Sequence, residues 1–205
     1  MEMKRRVRVT VLFSVMVLLA ACSVSHATIQ SMSATDLTIS FTADDGVLSI
    51  WDTADIVVEN TLGQQTTYTQ GEFDLNTLLQ TDASSGGIAI GSFAGGYLSF
   101  TDSSNNALLT GDIVSIDIVE PFDGWGMLTG QGQFKVTGGI LESDFALPHG
   151  DIVQITFNVS PASIGDFSAD FTGSSNITVM PVPEPATICM LSLGGLGLLR
   201  RRKSV

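Results

Sequence analysis

The sequence predicts an all-β domain, an antiparallel β-sandwich of the jelly-roll-like or immunoglobulin-like kind. Hydrophobic and polar residues alternate most clearly in Leu37–Thr42, Ile113–Val119 and Ile152–Val159. Such alternation is typical of strands with one buried and one water-facing side. Turn residues rich in glycine and aspartate separate the alternating segments about every 10 residues, a spacing typical of sandwiches. We therefore expect one β domain over residues 28–180.

Shorter strands are expected between these three segments, each bounded by turn residues. Asp45-Gly46, which lies between two alternating runs, predicts a β-hairpin. Glu72–Gln80 contains apolar residues at mixed spacings and suggests either a short helix or a loop that crosses the sandwich. The shorter strand candidates are Val47–Trp51, Asp55–Val58, Thr66–Thr69, Ile88–Phe93, Tyr97–Thr101, Gln133–Val136, Phe167–Phe171 and Asn176–Val179.

Residues 1–27 have the pattern of a secretory signal peptide. Four basic residues precede position 10, Val11–Ala21 is apolar but too short to span a bilayer, and small residues follow. This order predicts cleavage by signal peptidase after Ala27. The alternative is lipidation of Cys22, because Leu19-Ala20-Ala21-Cys22 resembles the lipobox of bacterial lipoproteins.

The C-terminus has the pattern of a short membrane anchor. A proline-rich linker is expected at 181–185, followed by an apolar transmembrane helix at 186–199 and a basic cytoplasmic tail at 200–205. Fourteen helical residues reach about 21 Å, against about 30 Å of hydrocarbon, so the span is short. The basic stop consists of Arg200, Arg201, Arg202 and Lys203.

This tail resembles the PEP-CTERM sorting signal, which combines a Pro-Glu-Pro motif, a short apolar helix and an arginine cluster. The motif residues are Val182, Pro183, Glu184 and Pro185. The resemblance implies recognition and cleavage by a membrane-embedded exosortase. It also implies an intermediate anchored in the inner membrane, followed by transfer to the cell surface or the extracellular matrix of an exopolysaccharide-producing Gram-negative bacterium. The same segment is also known as an ice-binding protein C-terminal domain, a label for the tail that is no evidence of ice binding.

The charge of the chain is unevenly distributed. The net charge is −12, and residues 28–180 hold 19 of the 21 acidic residues but only one of the nine basic residues, Lys135. An acidic surface repels nucleic-acid phosphates and anionic lipid headgroups, so we expect no nucleic-acid partner.

The central region offers little material for catalysis. Residues 28–180 contain one histidine, His149, and no cysteine. A serine triad would therefore depend on a histidine in a predicted turn, and a zinc site would lack ligands. We expect neither an enzyme nor a bound cofactor. The alternative to the absence of a cofactor is a bound calcium ion. Its candidate ligands are the loop aspartates Asp44, Asp45, Asp52 and Asp55, or Asp166 and Asp170.

Exposed aromatic residues offer a second alternative, binding of carbohydrate. The two tryptophans are Trp51, at the end of an alternating run, and Trp125, between glycines in Phe122-Asp123-Gly124-Trp125-Gly126. Trp125 is the better loop candidate, and the face occupied by Trp51 is ambiguous. The sequence thus predicts a non-enzymatic structural or adhesive surface protein, with a carbohydrate- or calcium-binding module as the alternative.

Overall fold

Each strand pairs with its neighbours in the chain, and the first strand also pairs with the last. The computed structural model describes residues 29–122, 126–144, 150, 152–160 and 164–182. Within these residues there are eight antiparallel strands and no helix. They are β1 (Ile29–Thr42), β2 (Val47–Asn60), β3 (Gln65–Asp82), β4 (Ile90–Thr101), β5 (Ala107–Val119), β6 (Leu128–Gly138), β7 (Ile152–Ser160) and β8 (Phe171–Pro181). Since β1 pairs with both β2 and β8, the sheet closes into a barrel.

The predicted β-sandwich is therefore wrong. A sandwich has two open sheets, whereas here β1 and β8 pair from Met32–Val179 to Phe41–Phe171 and leave no sheet edge among the eight strands. Buried and exposed residues alternate along a strand in the same way in a sandwich and in a barrel, because the strands of both have one buried and one water-facing side. Only the pairing of the first and last strands distinguishes them.

The predicted signal peptide at 1–27 and the predicted membrane helix at 186–199 lie outside the described residues. No helix in the described part of the chain has the length and hydrophobicity needed to cross a bilayer.

The segment Glu72–Gln80 is neither a helix nor a crossing loop, because it lies inside β3. Phe73, Leu75 and Thr77 alternate toward the buried side. Several predicted short strands likewise join into one, since bulges let β2, β3 and β4 continue past interruptions in the pattern. The predicted hairpin at Asp45-Gly46 is confirmed, with Thr42 paired to Val47 and Gly46 at φ 64°.

Side chains fill the barrel interior, as expected for eight strands. The end that carries the β1–β2, β3–β4, β5–β6 and β7–β8 connections is called the far end here, and the other the tail end. At the far end, the ring of Phe167 lies 5.3 Å from that of Phe41 and 5.4 Å from that of Phe93. A Cβ atom on Gly91 would lie 2.6 Å from this Phe167 ring, so glycine makes room for it.

Candidate functional site

The filled interior leaves the outer wall and the two ends of the barrel as surfaces for a ligand. Most outward positions hold serine, threonine, asparagine, glutamine or aspartate. Aromatic side chains exposed on such a wall stand out, because burial would normally stabilise them.

Two aromatic residues share one face of the outer wall, formed by β2, β3 and β4. Trp51 pairs with Asp74, and Asn76 pairs with both Ser49 and Tyr97. Trp51 is 43% exposed and Tyr97 is 46% exposed. From strand spacing, their Cα atoms are about 12 Å apart, with Asp74 and Asn76 between them. We call these five residues the aromatic face.

Hydrogen bonds hold four of the five residues of the aromatic face in place. The Tyr97 hydroxyl donates to Oδ2 of Asp74 at 2.7 Å, and Nδ2 of Asn76 donates to Oγ of Ser49 at 3.0 Å. The bond to Asp74, then partial burial, raises the pKa of Tyr97, so the phenol stays a neutral donor. A carboxylate and an amide between two rings can bond hydroxyl groups while the rings contact an apolar surface.

Trp51 is among the site residues predicted from the sequence, whereas Asp74 and Tyr97 are not. Trp51 faces outward, which resolves the ambiguity of its face. A signal for Tyr97 was present, because Leu98 and Phe100 alternate with Tyr97, Ser99 and Thr101. An aromatic residue on the polar side of a strand is the pattern to look for. No local signal marked Asp74, since its role depends on pairing with a distant strand.

A concave region lies on the outer wall of β5, β6 and β7. It has a volume of about 340 Å³, and its floor includes Gly130. Asp117 pairs with Gln131, and Gln131 pairs with Thr156. The side chains that line it are mostly polar: Asp117, Thr129, Gln131, Thr156 and Asn158. This groove contains no exposed aromatic ring.

Four of the six aspartates proposed as calcium ligands accept hydrogen bonds from the protein itself: Asp52, Asp55, Asp166 and Asp170. Oδ2 of Asp52 accepts from the Thr38 hydroxyl at 2.8 Å, which lowers the pKa of Asp52. Oδ1 of Asp170 accepts from the backbone N–H of Ala43 at 2.7 Å. No group of three or more histidine, cysteine, aspartate or glutamate side chains converges within the described ranges.

Several predicted site residues lie outside the described residues: Cys22, Ala27, Trp125, His149, Pro183, Glu184, Pro185, Arg200, Arg201, Arg202 and Lys203. Val182 is described and is 40% exposed. It directly follows Pro181, the last residue of β8, so Pro181 belongs to the barrel wall.

Glu120 is a buried acid at the far end, just after β5. Its side chain is fully buried, and neither carboxylate oxygen has a hydrogen-bond partner among the described residues. Its backbone N–H donates to the carbonyl of Ala89 at 2.9 Å. A buried carboxylate without partners destabilises a fold.

The match to known proteins lies in the tail. No curated protein matches the chain. No solved structure matches it either. Residues 181–203 match the family model of the PEP-CTERM protein-sorting motif, which confirms the resemblance of the tail. The chain therefore carries a PEP-CTERM sorting motif, which implies exosortase-dependent export through a membrane-anchored intermediate.

Proposed function

We propose that this protein is a non-enzymatic adhesive module of the bacterial cell surface or extracellular matrix, and that its aromatic face binds polysaccharide. The observation that carries the proposal is the exposure of Trp51 and Tyr97 on either side of Asp74 on one face of the wall. The sorting motif supports a destination outside the cell.

The composition of the aromatic face suits a sugar chain. Pyranose rings have apolar C–H faces that stack on aromatic side chains, and their hydroxyl groups bond to carboxylates and amides. Trp51 and Tyr97 supply the rings, and Asp74 and Asn76 supply the polar groups between them. Because the backbone of these residues is held in paired strands, no loop has to become ordered on binding, which keeps the entropy cost low.

The charge of the domain favours a neutral polysaccharide. Lys135 is the only basic residue in residues 28–180, against 19 acidic residues. A strongly acidic surface repels uronate- or sulfate-bearing chains. We therefore propose a neutral exopolysaccharide as the partner.

A glycan array, followed by affinity measurements, tests the proposal. The mature chain should bind at least one neutral polysaccharide, and Trp51→Ala should lower its affinity at least about tenfold. Tyr97→Phe, which removes only the hydrogen bond to Asp74, should have a smaller effect.

Two control variants test whether the polysaccharide binds at the aromatic face. Leu62→Ala removes an exposed apolar side chain away from the face and should leave the affinity unchanged. Trp125→Ala tests the other tryptophan. If Trp125→Ala abolishes binding while Trp51→Ala does not, the aromatic face is the wrong site, and if no glycan binds, the proposal fails as a whole.

A further inference from the structure

The chain leaves the barrel toward the membrane at the tail end. β8 ends at Pro181, and the match to the sorting motif begins at that same residue. From Val182 to Ala186, where the predicted membrane helix begins, a fully extended chain covers at most about 14 Å. The headgroup layer of one leaflet is itself about 5–7 Å thick. In the membrane-anchored intermediate, the tail end therefore lies close to the lipid headgroups.

Three apolar side chains are exposed on the outer wall at this end. Ile152, Met180 and Val182 are 36%, 37% and 40% exposed. Val153 pairs with Pro181, and Gln154 pairs with Met180, so all three lie on the neighbouring ends of β7 and β8. They form one contiguous apolar patch at the point where the tail emerges.

The only basic residue of residues 28–180 lies beside this patch. Lys135 pairs with Ile152 across β6 and β7, and its side chain is exposed. In a domain with 19 acidic residues, the single cation thus lies next to exposed apolar side chains, at the end that faces the membrane. On its other side Lys135 pairs with the exposed Asp112 of β5, and the domain as a whole repels anionic lipids. The pair of Lys135 and the apolar side chains therefore suits a zwitterionic lipid surface, where lysine interacts with phosphate groups while apolar side chains enter the interface.

We propose that Lys135, Ile152, Met180 and Val182, here called the rim patch, bind the lipid headgroup region while the tail anchors the protein. The barrel then stands on its tail end, with the far end pointing away from the bilayer and the aromatic face exposed at the side. This docking does not depend on polysaccharide binding by the aromatic face.

The rim patch is too small to replace the tail as an anchor. Even a complete myristoyl chain gives only marginal membrane binding, and the patch offers three partly exposed side chains. Cleavage of the tail should therefore release the barrel, as a sorting route requires. The patch positions the protein at the membrane only while the tail is attached.

Fluorescence quenching in vesicles tests this docking. The mature chain, residues 28–205 with Cys189 changed to serine, is inserted through its tail into vesicles of the zwitterionic lipids phosphatidylethanolamine and phosphatidylcholine that carry headgroup nitroxides. A fluorophore at Gln154→Cys, beside Met180 at the rim, should be strongly quenched. The same fluorophore at Thr172→Cys, about 27 Å away along β8, should not be.

Variants distinguish docking from simple tethering. Lys135→Glu should lower the docked fraction about fivefold, and Ile152→Ser should lower it as well, whereas Lys135→Arg should retain it. If quenching at position 154 is the same in all these variants, the tail alone sets the distance and the proposal is wrong. If the rim patch becomes protected only when an exosortase is added to the vesicles, its partner is the enzyme, which also overturns the proposal.

Discussion

The two ends of the barrel are built from different side chains. At the far end, Phe167 from the β7–β8 connection packs on Phe41 and Phe93 and covers the interior. At the tail end, Ile152 and Val182 remain partly exposed beside Lys135. The difference teaches that apolar residues have two roles here: aromatic residues close the far end, whereas aliphatic residues at the tail end remain available for contact with a surface.

The largest expected effect is at the far end. Phe167→Ala should lower the free energy of unfolding by about 3–5 kcal/mol, because it removes a buried ring and leaves a cavity. Leu62→Ala at the tail end should change it by less than about 0.5 kcal/mol, since Leu62 is 68% exposed. Urea unfolding followed by circular dichroism measures both. Equal losses would show that the two ends do not differ as described.

The second prediction concerns Glu120, also at the far end, where a substitution should increase the free energy of unfolding. Glu120→Leu should raise the free energy of unfolding by about 1–3 kcal/mol, because it replaces a buried carboxylate that has no partner among the described residues. Glu120→Gln is the matched control and should gain less, since a polar group stays buried. A loss of stability in Glu120→Leu would mean that the carboxylate has a partner outside the described residues.

The smallest expected effect on stability comes from a lower pH. The Ser168 hydroxyl bonds to Asp166 and lowers its pKa, and Asn106 does the same for Asp102 at the tail end. Burial opposes the charged form of Asp82, yet hydrogen bonds from Ser84 and Phe167 lower its pKa overall. A lowered pKa in the folded state adds stability above the unfolded pKa of about 4, which is lost as the pH falls through the folded value.

The urea concentration at the midpoint of unfolding, measured from about pH 6 to about pH 2, should therefore fall as the pH becomes low. Asp82→Asn and Asp166→Asn at the far end, and Asp102→Asn at the tail end, should each make this fall shallower. Ser168→Ala is the matched control for Asp166, because it removes the hydroxyl donor while keeping the carboxylate. If it leaves the acid response unchanged, the hydrogen bond is not the cause of the lowered pKa.

The individual strands could be predicted from sequence more easily than their continuity. The alternation in Ile152–Val159 predicted β7, and Asp45-Gly46 predicted the first hairpin, because both signals are local. The segment Glu72–Gln80 does not show its strand character in the sequence, because Thr77 holds a buried position and Leu78 an exposed one. Its apolar residues therefore do not follow the period of two that burial keeps. The aromatic face was found only in part, since Trp51 and Tyr97 are far apart in the chain and meet through β3.

By itself, the sequence determined the all-β class, the acidic charge and the sorting motif at the C-terminus, because each follows from composition or from a short local pattern. Only the tertiary structure decided between a sandwich and a barrel, because closure depends on β1 pairing with β8, about 140 residues away. The pairing of β6 with β7, which is separate from that closure, brings Lys135 beside Ile152 at the end where the tail emerges. The contacts that would act in adhesion and membrane docking are therefore consequences of strand register, which no local pattern encodes.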